Sequence, residues 1–460
     1  MKKTHYFDDT IIREYDIRGV FNKTLFEKDA KVLGNLFGMM IGENNSVNIA
    51  FDGRVSSPIL KENLIEGFLE VGVNVNEIGL GPTPLLYFSC FELNSNSGII
   101  VTGSHNPKNH NGFKIVYKNS PFFGEDLIIL KNKAKNYSMP QARGLRTKVD
   151  LKSKYLERLL KDFNQKKEIK VVWDAGNGSA GKIMKTLANK IQGKKIILYD
   201  EINGDFPNHH PDPSDADNLI DCQKNIIKNN LDIGLAFDGD GDRLGVIDDL
   251  GRVISGDKIL LLLAKELLKK KKIKVIADVK CSQVLFNEIK RLGGEIIMSQ
   301  TGHSHVKNNL KKFKAELAGE MSGHIFFADN YYGFDDALYA AVKMLEIIND
   351  NEKKLSELVD EIPMLYNTPE IRVECDDESK FKIIEEVLSN IKTTKNEIIC
   401  IDGVRVTNEE GWWLLRASNT QPAIVVRCES FSKDGLENQK RNVMEALKKT
   451  KYSFDDKIFG

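Results

Sequence analysis

Residues 101–116 read Val-Thr-Gly-Ser-His-Asn-Pro-Lys-Asn-His-Asn-Gly-Phe-Lys-Ile-Val. An apolar run at 98–101 enters a loop of Gly, Ser, Asn and Pro, and a second run at 113–117 leaves it. Between them stand a hydroxyl (Ser104), an imidazole (His105) and an amine (Lys114). This is the layout of a nucleophile on a stiff loop with cationic neighbours.

A second set lies at 238–243, Asp-Gly-Asp-Gly-Asp-Arg, between strand-like runs at 233–237 and 244–247. Carboxylates this close repel unless a divalent cation binds them, and hard oxygen ligands favour Mg²⁺ or Mn²⁺ over zinc. The glycines let Asp238, Asp240 and Asp242 converge. An EF-hand loop would need Gly where Arg243 stands and helices where strands are expected. Three protein oxygens leave a metal open to a substrate or phosphate oxygen.

Two more loops are rich in polar groups. Gly-Glu-Met-Ser-Gly-His at 319–324 offers Glu320, Ser322 and His324 to the hydroxyls of one polyol. A Ser-His-acid hydrolase is the rival there, but no G-x-S-x-G elbow occurs in the chain. Arg-Ala-Ser-Asn-Thr-Gln-Pro at 416–422 supplies donors with no acid among them, which suits a phosphate dianion held by the Arg416 fork. A further segment, 176–182, matches the dinucleotide-binding pattern G-x-G-x-x-G, with Asp200 and Glu201 at the distance of a ribose-binding acid. As a P-loop it fails, because Ile183 replaces the required hydroxyl. A tight strand-helix turn is the simpler reading of its glycines.

The elements around these loops alternate strand-like and helix-period runs, the signature of an α/β protein. Strands at 47–52, 170–174 and 274–278 each end in an aspartate and lead to helices at 58–71, 182–191 and 283–292. The three units stand about 100 to 120 residues apart, a spacing for repeated domains rather than a solenoid. After Pro363 and Pro369 the pattern becomes strand 370–375, helix 380–392, strands 398–406, 411–415 and 423–428, and a closing helix. That is a small separate α+β domain.

Composition narrows the class. At 460 residues the length alone predicts roughly three domains. Lys+Arg and Asp+Glu both number 66, so no basic surplus points to nucleic acid. The lysine run at 269–272 closes an apolar-periodic helix, where cations suit the dipole. Six scattered cysteines without a C-x-x-C pair suit reduced thiols in the cytoplasm. Residues 1–13 lack the apolar stretch of a signal peptide, and no run reaches the ~18 apolar residues of a membrane span.

The four loops match, in order and spacing, the motifs of the α-D-phosphohexomutase family, and the chain resembles its bacterial phosphomannomutase/phosphoglucomutase branch. Glu-Tyr-Asp-Ile-Arg-Gly at 14–19 also resembles the family's opening, and only 108–110 depart from its usual loop. The resemblance implies four domains around a central cleft. The first three share a mixed α/β topology and the last is a small α+β domain. Expected bounds are 1–150 for the phosphoserine domain, 151–255 for metal, 256–366 for sugar and 367–460 for phosphate. It further implies a phosphoserine at Ser104, whose phosphoryl oxygen completes the Mg²⁺ site of Asp238, Asp240 and Asp242. Lys114, Arg18, His303 and Arg243 would neutralise charge and assist proton transfer.

By the same resemblance Tyr15, Lys280 and 320–324 (Glu320, Met321, Ser322, Gly323, His324) would contact the sugar. Arg416, Ala417, Ser418, Asn419 and Thr420 would hold the phosphate not being transferred. The implied reaction interconverts hexose 6- and 1-phosphates through a hexose 1,6-bisphosphate, in a monomer or weak dimer. Met321 stands where the phosphoglucosamine branch has Gln, which leaves mannose and glucose ahead of glucosamine. A non-catalytic sugar-phosphate binding protein is the more distant rival.

Overall fold

The computed structural model describes residues 2–376, 378–391, 397–418, 422–454 and 458–459. Three of its sheets repeat one plan. In the first, Asn74–Leu80, Ser46–Phe51, Gly98–Val101 and His110–Tyr117 lie side by side in that order. The first three run parallel and the fourth antiparallel. Lys195–Leu198, Val171–Asp174, Ile233–Phe237 and Leu244–Asp248 repeat it, as do Glu295–Ser299, Lys274–Asp278, Leu317–Gly319 and Ile325–Phe327. Each sheet places its first strand in the middle, its second on one side and its third on the other. The first sheet adds Ile17–Val20 and Arg146–Lys148 at its edges.

The sequence explains this plan. The parallel strands are runs such as Ile-Ile-Val at 99–101 and Val-Val-Trp at 171–173, buried throughout. Strands apolar on both faces need helices on both faces, and the intervening segments supply them. The helices Ser57–Leu69, Gly181–Lys190 and Gln283–Arg291 fall within two residues of the expected ones.

The C-terminal unit is built differently. Its antiparallel sheet runs Tyr366–Asn367, Ala423–Ser430, Gly411–Ala417, Val404–Asn408 and Glu397–Ile399, with Ile371–Glu374 also on Ala423–Ser430. Helices Ser379–Asn390 and Lys433–Lys448 share its apolar cluster. The single strand expected at 398–406 is two, because Gly403 takes φ +77° and turns the chain back. The length-based expectation of three domains is one short, since this unit carries its own core.

A continuous apolar core joins the first three units. It is crossed by buried polar ties, of which Asp336 is the clearest. This residue caps the helix Ala337–Asp350 through the Tyr339 N–H at 2.9 Å. It also accepts from Tyr155 of the second unit at 2.8 Å and from Tyr331 at 2.7 Å. Burial pushes its carboxyl up to about 6, although these donors pull the other way. A folded-state value above the unfolded one, near ~4, means that the folded chain holds the proton more tightly. The stabilisation, up to about 3 kcal/mol, is complete below pH ~4 and is lost as pH rises through about 6. Thermal melts should therefore show the melting temperature of the protein falling, relative to Asp336→Asn, between pH ~4 and ~6.5. A gap that stays constant over that range contradicts the assignment.

Candidate active site

All three repeated units carry a sequence motif at the same place, the turn from third to fourth strand. Residues 102–109 join Gly98–Val101 to His110–Tyr117. Residues 238–243 join Ile233–Phe237 to Leu244–Asp248, and 320–324 join Leu317–Gly319 to Ile325–Phe327. The fourth loop connects Gly411–Ala417 to Ala423–Ser430. In the three α/β units this turn lies at the carboxyl edge of the parallel strands, the edge at which open α/β sheets bind ligands. Loops of neighbouring units touch directly: Arg243 bridges to His324, and the Leu244 N–H donates to the Gly323 carbonyl at 3.0 Å.

Ser104 lies against the acidic loop. Its backbone is left-handed, with φ +49°, and its N–H donates to Thr102 Oγ1 at 2.8 Å. Its hydroxyl is 3.1 Å from Asp238 Oδ2 and 3.1 Å from His105 Nδ1. Gly239 packs on the Ser104 carbonyl so closely that any side chain there would collide with it. Lys114 donates to Asp240 Oδ2 at 2.7 Å and to Asp242 Oδ2. Thr83, at the start of helix Thr83–Glu92, donates its hydroxyl to Asp240 Oδ2 at 2.6 Å and its N–H to the Asp240 backbone carbonyl at 2.7 Å.

The three aspartates offer oxygens that all lie within 4.8 Å of one another. Two of them, Asp240 Oδ1 and Asp242 Oδ1, are buried with no hydrogen-bond partner among the described residues. Burial, reinforced by Asp240 and Asp242, pushes the Asp238 carboxyl well up. Burial would raise Asp240 too, but Lys114 holds it below the usual carboxylate range. Burial opposes the charge on Lys114, and the three aspartates overcome it, so the ammonium stays protonated. Ionised together, three carboxylates against one ammonium would leave two negative charges in a dry pocket. That charge, the all-oxygen donor set and the orphaned oxygens fit a divalent cation.

A cavity of about 260 Å³ opens beside Ser104, lined also by Tyr15, Arg18, Lys114, Arg243, His303 and His324. Arg18 donates to the Gly103 carbonyl at 2.8 Å and pairs with Asp16. Arg243 donates to His324 Nε2 at 3.1 Å. Behind the histidines sits Asp335, which carries no motif signal. It is 3.1 Å from His324 Nδ1, 3.7 Å from His303 Nδ1 and 2.9 Å from Lys307 Nζ. Burial, helped by Lys307, keeps His303 well below its ordinary pKa and hence neutral.

The other expected residues lie outside that lining, and several meet at the turn of Thr301 and Gly302, which Tyr15 reaches from the cavity. Tyr15 donates to the Thr301 carbonyl at 2.7 Å, and Glu320 Oε1 accepts the Gly302 N–H at 2.6 Å. Asp402 accepts both the Thr301 N–H and Arg416 Nε at 3.0 Å. Lys280 pairs with Glu370 at 3.0 Å, and the Met321 N–H donates to Asp278 at 3.1 Å. Ala417 and Ser418 are buried at the end of strand Gly411–Ala417, Ser322 is partly exposed, and Gly323 takes φ +94°. Asn419 and Thr420 lie outside the described residues.

The glycine-rich segment at 176–182 braces the acidic loop, since the Ser179 N–H donates to the Gly239 carbonyl at 2.9 Å. Sequence reasoning passed over Thr83, Asp335 and Asp402, because single residues in unremarkable turns acquire their role through tertiary contact. Asp402 falls inside the stretch expected as one strand, so nothing in the sequence marked it as a turn or as a partner for Arg416.

Models of the four phosphoglucomutase/phosphomannomutase domains match the chain in order. The alpha/beta/alpha domains I, II and III cover residues 9–137, 153–251 and 255–366, and the C-terminal domain covers 370–446. The phosphomannomutase/phosphoglucomutase of Pseudomonas putida is 41% identical over 436 residues, 94% of each chain. The phosphoglucomutase of Neisseria gonorrhoeae is 39% identical over 439 residues, 93% of this chain and 94% of its own. Among solved structures, a phosphoglucomutase/phosphomannomutase family protein of Burkholderia thailandensis superposes with a TM-score of 0.88 at 37% identity, covering 95% of this chain and 97% of its own. Among the described residues no helix is long and apolar enough to cross a membrane.

Titration with Mn²⁺ should find one tight site, weakened roughly 100-fold in Asp240→Asn. In metal-free buffer Asp242→Asn should melt no lower than the wild type, because it removes a buried like charge. Unchanged Mn²⁺ affinity in Asp240→Asn contradicts the site.

Proposed function

The chain belongs to the phosphoglucomutase/phosphomannomutase family, and on that premise we propose that it interconverts the 6- and 1-phosphates of mannose and glucose. Ser104 is the phosphoryl carrier. The phosphoserine P–O bond breaks as a P–O bond forms to the free hydroxyl of a hexose monophosphate, giving a hexose 1,6-bisphosphate and a Ser104 oxygen that takes up one proton from solvent as the sugar hydroxyl gives one up. The bisphosphate turns over, and its other phosphoryl group returns to Ser104 Oγ. Hexose 1,6-bisphosphate is accordingly the activator of unphosphorylated protein. The observation carrying this reading is the 3.1 Å approach of the Ser104 hydroxyl to Asp238, across two units, at the mouth of a cation-lined cavity.

Asp238, Asp240 and Asp242 hold the Mg²⁺, which when bound neutralises charge on the transferring phosphoryl group. Lys114 and Arg18 add positive charge from the protein side. Because Lys114 is held protonated, it serves charge neutralisation and not proton abstraction. His303 is neutral and lines the same cavity, so its imidazole takes the proton of the attacking sugar hydroxyl and returns it on the reverse step. Arg243 keeps His324 in place through Nε. Glu320, Ser322 and His324 hold the sugar hydroxyls, with Met321 and Gly323 shaping the loop and Tyr15 and Lys280 at its sides. Arg416 and Ser418, with Ala417, Asn419 and Thr420 of the same motif, hold the second phosphate.

Pairing of mannose with glucose follows the name of the Pseudomonas relatives, and Met321 counts against glucosamine. A coupled assay with mannose 1-phosphate, glucose 1-phosphate and glucosamine 1-phosphate, each with Mg²⁺ and catalytic hexose 1,6-bisphosphate, tests both points. Turnover of the first two should exceed that of the third. In Ser104→Ala, kcat should fall by roughly four orders of magnitude with the melt unchanged. Wild-type turnover in Ser104→Ala overturns the reading.

A further inference from the structure

Arg54 follows the strand Ser46–Phe51 and is buried to 1% exposure, yet it does not line the Ser104 cavity. Its guanidinium has five N–H donors, and five acceptors meet it. Nε donates to Asp52 Oδ2 at 3.2 Å. One terminal nitrogen donates to the carbonyls of Pro107 (2.6 Å) and His110 (3.0 Å). The other donates to the carbonyls of Ser104 (2.7 Å) and Asn106 (2.6 Å). The fork is therefore saturated by the backbone of one loop, with no donor left for a phosphate.

Asp52 completes the hold. It accepts from Thr102 Oγ1 at 2.8 Å and from the Gly103 N–H at 3.0 Å, and Thr102 in turn receives the Ser104 N–H. The guanidinium lies so close over Gly103 that a Cβ there would strike it. Phe206 of the second unit covers the guanidinium at 5.1 Å, and Gly204 packs on the Arg54 backbone. The carbonyl that Arg54 grips is also the one against which Gly239 of the acidic loop is seated.

We propose that Arg54 is the positioning residue of the Ser104 loop: its fork holds Ser104 in the left-handed conformation that sets the hydroxyl against Asp238. The claim deepens the mutase reading and rests on it for its kinetic part. A lysine at 54 keeps the charge but offers three donors at one point, so it cannot span carbonyls on four residues.

The test compares full-length wild type with Arg54→Lys by amide hydrogen exchange without substrate, and by mutase kinetics. Exchange over 102–111 should quicken at least about tenfold while the remaining sheet is unchanged. The kcat should fall roughly 100-fold, because a displaced loop misplaces the phosphoryl group. The KM for hexose phosphate should stay within about threefold, because Arg54 touches no substrate. Unchanged exchange at 102–111, faster exchange spread through the whole first unit, or kcat per folded molecule within about threefold of wild type would each overturn the proposal. Should Arg54→Lys not fold, Asp52→Asn is read by the same criteria, since it loosens the same loop with Arg54 in place. A wild type without mutase turnover sinks the mutase reading instead, and the exchange data then decide the hold on the loop alone.

Discussion

Three buried carboxylates at Asp238, Asp240 and Asp242 are the constraint around which this protein is arranged. Each is fully buried, and within their own unit Asp238 accepts the Asp242 and Arg243 N–H groups. Lys114 arrives from the first unit's fourth strand, and Thr83 brings a hydroxyl from the same unit. Part of the cost of burying the charges is thus offset across a unit boundary, by the first unit docked on the acidic loop. Docking it also carries Ser104 to Asp238, so the contact that balances charge also sets the Ser104 hydroxyl against the acidic loop.

The repeated sheet plan makes such a convergence economical. One turn position, from third to fourth strand, presents Ser104, the aspartates and Glu320 through His324 in successive units. The first-strand aspartates brace their surroundings from equivalent places. Asp52 holds Thr102 and Gly103, and Asp278 holds the Met321 N–H and Thr301. The C-terminal unit follows another plan and reaches the cleft through Asp402 and Arg416, sharing the Thr301 turn with Tyr15.

Much of this was legible in the sequence, and the reason is local. Motif loops rich in Gly, Ser and Asp stand out because their chemistry and their bends are encoded in adjacent residues. The βα units are readable because doubly covered strands must be apolar throughout, as at 171–173. What stayed hidden is non-local. Arg54 reads as an ordinary charged loop residue until four carbonyls from 104–110 surround it, and Asp335 acquires its histidine partners only when its segment returns to the sheet. The strand at 398–406 reads as unbroken by its apolar content, and one left-handed glycine divides it.

The central claim is that Ser104 passes its phosphoryl group to a hexose phosphate within this cleft. The most direct measurement loads Ser104 with radiolabelled phosphate from hexose 1,6-bisphosphate and chases with unlabelled glucose 1-phosphate in a rapid-quench single turnover. Label should leave the protein and enter hexose bisphosphate one for one, before labelled hexose monophosphate accumulates. Label that stays on the protein while glucose 1-phosphate is isomerised, or that leaves as inorganic phosphate, would contradict it.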